Sequence, residues 1–427
     1  MTRKRVVCFV LLLPLGLFVF SLYLLQYLST RKVYKGEEEA LFTWTNCPSE
    51  SFNVIWLVKK YSPSRFLLSN NKESIVRKSK VERVPFYSKR FLLRSFFSDL
   101  WNARFTFPSM EEVSFDICKV SLNGLKSNEV YHVSVGDRKF NVCTLPKERP
   151  DRINFVTGGD MMHSVKLLEG GINAMVSRSP DFALLGGDLA YANGKDYRSW
   201  LDWISCYSRN AKNEDGLSIP FVVAIGNHEV KGGNYRTPKD APIFYSLFPL
   251  PQRETSYYAI DIYEDLSVVV LDSSHTYSIE SQVEFLESSL SSRKDRTHLF
   301  ALYHFPAYGI MKGGLSSPIS KSMRKHWVPL FDQYGLDAAF ENDHHVYKRS
   351  KLLKGDKIHQ DGTLYIGDGA WGVGTRKPGA KEYWYVEKFE PTRHVIEVEI
   401  KDNVRTYRAI NHDKKVFDEF VDKRDAD

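Results

Sequence analysis

The chain has 427 residues, 43% of them hydrophobic and 14% aromatic, which excludes global disorder and exceeds one small domain. Its 59 Lys and Arg against 52 Asp and Glu leave a modest net charge of +7. The basic excess gathers between Lys59 and Arg94 and reads as a solvated surface, so nucleic acid is not an expected partner.

In chain order, Arg3 to Arg5 precede an apolar run over residues 6–28. About twenty-three such residues are enough to cross a hydrocarbon core of roughly 30 Å. No small-x-small cleavage site follows cleanly. Residues 1–40 are therefore expected to be a cytoplasmic tip, an uncleaved signal-anchor helix (6–28) and a short charged stalk. A single-pass membrane protein follows, with the rest of the chain lumenal or extracellular. Secretion after signal cleavage is the alternative. There, Cys47, Cys118, Cys143 and Cys206 permit two disulfides. No C-x-x-C pair points to structural zinc.

Residues 41–147 carry short alternating runs, at 52–58, 104–107, 114–122, 129–135 and 139–144. Turn residues such as Asn123-Gly124 and Gly136-Asp137 separate the later ones, which reads as antiparallel β structure. A basic insertion, Tyr61 to Leu100, interrupts it. Lys147 to Asp151 is a polar linker and the expected domain boundary. From 151 to 412 strands alternate with helices. Strands are expected at 152–156, 182–185, 221–225, 299–303 and 336–340, and helices at 165–178, 197–209, 279–292 and 320–334. A hairpin is expected at 256–271, and closing strands at 363–366, 394–400 and 404–410. Residues 413–427 read as a charged tail.

The chemistry sits where apolar runs stop. Five blocks stand out: Gly159-Asp160, Gly187-Asp188-Leu189-Ala190-Tyr191, Gly226-Asn227-His228-Glu229, Tyr303-His304, and Asp343-His344-His345-Val346-Tyr347. Four directly follow expected strands, at the carboxyl ends where α/β sheets collect ligands. Their carboxylates, amide and imidazoles are the donors that hard and borderline metals take. Alone, Asp188 reads equally as a turn residue or helix cap, Asn227 as a turn former and His304 as a core histidine. Their register together favours a metal centre. His163 is either a pocket residue or a surface one.

The five blocks in this order resemble the calcineurin-like metallophosphoesterases, and within them the purple acid phosphatases. The resemblance implies a two-sheet α/β/β/α sandwich for 151–412. It also implies a fibronectin-like all-β domain for 41–147, whose last strands the segment 120–146 resembles. A dinuclear centre is implied in turn. Asp160, Asp188, Tyr191 and His345 would hold the first metal, Fe, since Tyr191 offers a phenolate. Asp188, Asn227, His304 and Asp343 would hold the second, a Zn, Fe or Mn ion, with Asp188 bridging. His228 would be the catalytic group facing the phosphate. The implied reaction is acid phosphatase-like hydrolysis of a phosphate monoester, metal-bound hydroxide attacking phosphorus directly.

The chain departs from that family in places. Met161 and Met162 follow the first Asp, where Gly or His is expected. The fifth block reads Gly-His-x-His-x-Tyr-x-Arg in the family; anchored on Tyr347 and Arg349, Asp343 stands for its first His and Asn342 for its Gly. Asp343 as ligand, His344 reaching in by a local shift, and a weak second site all stay open. The family's further histidines after His304 are not evident, and Lys312 is a cationic candidate for their place. Two rivals follow: a catalytically weak or inactive metal-binding ectodomain acting as receptor or adhesion protein, and a phosphodiesterase of the same superfamily.

Overall fold

The computed structural model describes residues 39–59, 65–70, 82–86, 115–251, 255–311, 313–379 and 383–424. The apolar run 6–28, the expected strand 104–107, most of the basic insertion and Lys312 lie outside them. Among the described residues no helix is long and apolar enough to cross a membrane.

The first part supplies β1 (Ala40–Thr43), β2 (Ser51–Lys59), β3 (Phe66–Asn70), β4 (Glu82–Phe86), β5 (Phe115–Asn123), β6 (Val130–Val135) and β7 (Arg138–Cys143). Next come β8 (Arg152–Gly158), β9 (Phe182–Leu185) and β10 (Phe221–Val223), mutually parallel and joined through helices α1 (Val165–Val176) and α2 (Tyr197–Asn210). After helix α3 (Pro242–Leu247), the chain forms β11 (Tyr258–Tyr263), β12 (Leu266–Val270), helix α4 (Val283–Ser291), β13 (His298–Leu302) and helices α5 (Pro318–His326) and α6 (Val328–Tyr334). It then forms β14 (Ala338–Glu341), β15 (Tyr347–Lys354), β16 (Lys357–Ile358), β17 (Thr363–Gly367), β18 (Val386–Glu390), β19 (His394–Lys401), β20 (Val404–Asn411) and β21 (Val416–Asp422).

One sheet runs β21-β20-β19-β8-β9-β10-β1-β2-β5-β4, and a second runs β11-β12-β13-β14-β17-β15-β16 with β18 on β15. Central strands such as FALL in β9 and HLFAL in β13 are buried along their whole length, as strands covered on both faces must be. Phe155 of β8 stands edge-on to Phe300 and Phe340 at 5.7 and 6.0 Å, closing the two sheets face to face. Helix α1 lies on β19 and β20 outside the first sheet. Helices α4, α5 and α6 share an apolar cluster with the second: Leu286, Leu290, Met323 and Trp327 pack with Val269, Ala301 and Ala339. The architecture is the expected α/β/β/α sandwich.

Three boundaries differ from expectation. The strands of 41–147 do not form a self-contained domain. β1 pairs parallel with β10 (Thr43 opposite Phe221), so β1, β2, β5 and β4 prolong the sheet of β8, β9 and β10. β1 is wholly buried and covers what would be an open edge of β10. Glu39, also buried, takes ion pairs from Arg138 and from Arg209 of α2, locking the two parts together. A second layer, β3-β6-β7, does face the first as a sandwich would, through Trp56 stacked on Phe66 and Phe52 against Tyr131. The expected helix 320–334 is two helices, α5 and α6, meeting at Trp327. Pro329, which has no backbone N–H, sits in the first turn of the second. The charged tail contains β21, an edge strand held by Asp418, which bonds Tyr347 and Arg349, and by Asp422 with Arg405.

Candidate metal centre

Five of the residues singled out in the sequence share an uncommon backbone state. Asp160, Asp188, Tyr191, Asp343 and His345 all hold positive φ, between 52° and 72°. Such conformations cost free energy in non-glycine residues and persist where surrounding structure enforces them, often at functional sites. Here all five lie in the loops that follow β8, β9 and β14. Neighbouring glycines make room. A Cβ on Gly226 would stand 2.3 Å from Asp188 Oδ1, and one on Gly369 would stand 1.9 Å from Asp160 Oδ2.

The side chains converge. Tyr191 donates its hydroxyl to Asp160 Oδ1 at 2.8 Å; His345 Nε2 lies 2.9 Å from that oxygen and 2.9 Å from the hydroxyl. Three donor atoms from three separate loops thus form a near-equilateral triangle. Ligands about 2.1 Å from an octahedral ion stand ~3.0 Å apart, so the triangle has the size of one coordination face. A second group centres on His304 Nε2, with Asn227 Oδ1 at 3.2 Å, Asp188 Oδ2 at 3.3 Å and Asp343 Oδ1 at 3.7 Å. Asp160, Asp188 and His304 place ligand atoms within 4.8 Å of one another, so the two groups adjoin. Asp188 Oδ2 is buried with no hydrogen-bond partner, which is costly for a carboxylate unless a cation faces it.

Electrostatics agree. Burial alone would push the His304 imidazole down, but Asp188 and Asp160 pull it up to about 10. Against burial, His304 and His228 hold Asp188 down to about 2. Burial and the two carboxylates raise the Tyr191 phenol far above its ordinary range. The pocket carries a surplus of negative charge, and its donors fit a pair of cations.

Supporting residues fix this geometry. Gly186 O receives the Nδ1–H of His304, and Gly374 O that of His345, at 2.8 and 3.2 Å; each ring then presents Nε2 to the centre. Glu229 accepts backbone N–H groups from Asp188, Leu189 and Gly226, tying the second and third blocks together. His228 gives its backbone N–H to Asp188 Oδ1, stacks on Tyr191 at 4.2 Å, and pairs Nδ1 with Asn193 Oδ1 at 2.5 Å. His344 packs against Phe305, its Nδ1 accepting the Met311 N–H and its Nε2 3.8 Å from Asp343 Oδ2. Asp343, rather than His344, stands beside His304.

Other groups here were not singled out. Asp368 is buried behind His344, 3.7 Å from its Nδ1, and 3.5 Å from the buried Lys348, which pairs with Glu341. Its signal was available: Gly367-Asp368-Gly369 ends β17 as Gly-Asp ends the earlier strands. His275, buried 5.4 Å from the His304 ring, lies in a loop without that signature.

Comparison with known proteins accords with this geometry. Residues 161–347 match the calcineurin-like phosphoesterase family model. Purple acid phosphatase 15 of Arabidopsis thaliana is 25% identical over 293 residues, 58% of this chain and 53% of that protein. An uncharacterized protein of Mycobacterium tuberculosis is 30% identical over 206 residues, 44% of this chain and 38% of its own. The chain thus spans about half or less of the length of these relatives. Among solved structures, purple acid phosphatase PPD1 from yellow lupin (Lupinus luteus) seeds superposes with a TM-score of 0.71 at 16% identity, over 91% of this chain and 74% of that one. PhoD superposes with 0.59 at 13% identity, over 90% and 88%. With its five blocks gathered at the strand tips of such a sandwich, the chain carries a calcineurin-like phosphoesterase region over residues 161–347 and is similar to purple acid phosphatases.

Proposed function

We propose that the chain is a metal-dependent phosphomonoester hydrolase of the acid phosphatase kind, with a dinuclear centre. The observation that carries this is the triangle of Asp160 Oδ1, Tyr191 hydroxyl and His345 Nε2, adjoining a buried Asp188 oxygen that lacks a hydrogen bond. Asp160, Asp188, Tyr191 and His345 would hold iron. Asp188, Asn227, His304 and Asp343 would hold Zn, Fe or Mn. When bound, such ions would supply positive charge for the phosphate and lower the pKa of water. The protein's own groups do the rest. His228, stacked on Tyr191 with its Nδ1–H given to Asn193 Oδ1, would as an imidazolium stabilise charge on the ester and protonate the departing alcohol through Nε2. Glu229 keeps the loop carrying His228 in register with Asp188.

The test is full-length protein loaded with iron plus zinc or manganese, assayed on a chromogenic phosphate monoester. Turnover is expected, and its loss in Asp188→Asn. Absence of turnover, or an Asp188→Asn variant as active as wild type, sinks the reading. One observation favours a second reading, a weakly active or inactive metal-binding ectodomain: Asp343 stands where the family has His, adding negative charge beside His304. About one ion per chain by elemental analysis would favour it. A diester assayed beside the monoester tests the phosphodiesterase alternative. The run 6–28 is proposed to anchor the protein, with the metal centre lumenal or extracellular; protease protection of sealed vesicles tests this.

A further inference from the structure

A single residue, Gly374, holds two imidazoles in opposite senses. Its carbonyl receives the Nδ1–H of His345, leaving that ring's Nε2 as a lone pair toward Asp160 and Tyr191. Its N–H, in turn, donates to His163 Nδ1 at 3.1 Å. An imidazole that accepts at Nδ1 carries its proton on Nε2. His163 therefore shows its surroundings a donor, where His345 shows an acceptor. The His163 backbone N–H is fixed as well, bonding Gly372 O at 2.9 Å. The ring is exposed and stands beside two of the converging side chains. It lies edge-on to Tyr191, centroids 4.8 Å apart, and 5.8 Å from the His345 ring. His228 covers Tyr191 at 4.2 Å. Arg376, on the same 372–376 loop, gives its guanidinium to Asp343 O and its backbone N–H to His345 O. No block of the sequence pattern includes His163, and the sequence leaves it open between pocket and surface.

We propose that His163 is a substrate-binding residue: its Nε2–H donates to a non-bridging oxygen of the phosphate group. This rests on the hydrolase reading above and deepens it. A donor fixed beforehand by Gly374 binds an anion without first reorienting. It supplies part of what the family's further histidines, not evident after His304, would supply.

The test compares His163→Ala, His163→Gln and His163→Asn in the full-length, iron- and zinc-loaded protein. Gln carries an amide N–H near the position of imidazole Nε2, whereas Asn reaches only as far as Nδ1. Three quantities are read: KM and kcat for p-nitrophenyl phosphate, the dissociation constant of inorganic phosphate by calorimetry, and metal content. His163→Ala and His163→Asn should raise KM and weaken phosphate binding about tenfold, worth about 1.4 kcal/mol. His163→Gln should stay within about threefold of wild type, and metal content should not change. Wild-type turnover with all three variants unchanged, or with Gln no better than Asn, overturns this proposal alone. Wild-type protein that neither turns over nor binds phosphate overturns the hydrolase reading, and this proposal falls with it.

Discussion

At the scale of single residues, the centre depends on donors held in conformations that free residues avoid. Tyr191 is the sharpest probe. A phenolate on ferric iron produces a visible charge-transfer band, so iron-loaded protein is expected to be coloured and Tyr191→Phe to bleach it. A colourless wild type or a coloured Tyr191→Phe would place iron elsewhere or nowhere. The His228 imidazole Nε2 stands 3.7 Å from Asp188 Oδ2, and it is the backbone N–H, not the imidazole, that bonds Asp188 Oδ1. Its loss should therefore spare metal content; His228→Ala is expected to lower kcat by about 10²-fold with both ions retained. A fall in metal content instead would make His228 part of the metal's support. Glu229→Gln sets an amide against three backbone N–H donors and should destabilise the fold by about 1–3 kcal/mol. Urea unfolding measures it, and an unchanged midpoint would contradict the role given to that carboxylate.

At the scale of elements, the strands that deliver the site were legible because each is short, apolar and abruptly ended. Asp160, Asp188 and Asn227 follow glycine stops, His304 follows Tyr303 at the end of HLFAL, and all lie at the centre. Asp368 obeys the same grammar, yet its block falls outside the five and escaped notice. The break between α5 and α6 was also written in the chain, since Pro329 interrupts an otherwise helical pattern. What could not be read was pairing between distant strands. Nothing local in ALFT says that β1 lies parallel to β10, because non-local register leaves no mark in either segment alone. The polar linker at 147–151 thus resembled a domain border, although the sheet runs past it. A chain beginning at residue 151 would lose β1 and the Glu39 ion pairs, exposing the β10 edge. It is expected to be insoluble, whereas residues 39–427 fold; a soluble, cooperatively unfolding 151–427 fragment would restore the border. Trp327, fully buried where α5 meets α6, is the element-scale test of the outer helical layer. Trp327→Ala should cost about 3–5 kcal/mol, and a loss under 1 kcal/mol by urea unfolding would show that the layer packs loosely.

For the whole molecule, pH sets how the sandwich holds. His298 and His394 are buried and lie outside the proposed ligand set. Burial, with Arg405 nearby, holds His298 down to about 3, and burial holds His394 down to about 4. An unfolded histidine titrates near 6.5. Between these values the unfolded chain binds more protons than the folded one. The stability from each neutral ring is complete above about pH 6.5 and declines as pH falls toward the folded value. Unfolding midpoints are therefore expected to drop from pH 7 to pH 4, and His298→Gln to flatten that slope; an equal slope would show the ring titrating alike in both states. The architecture brings both sheets to one rim, the first giving Asp160, Asp188 and Asn227, the second His304, Asp343 and His345. That convergence across two sheets is the central claim. Crystals of iron- and zinc-loaded protein, with anomalous diffraction recorded at the iron and zinc edges, test it most directly. An iron peak is expected among Asp160, Asp188, Tyr191 and His345, and a second metal peak among Asp188, Asn227, His304 and Asp343. No peak at the strand tips, or peaks confined to surface carboxylates, would contradict it.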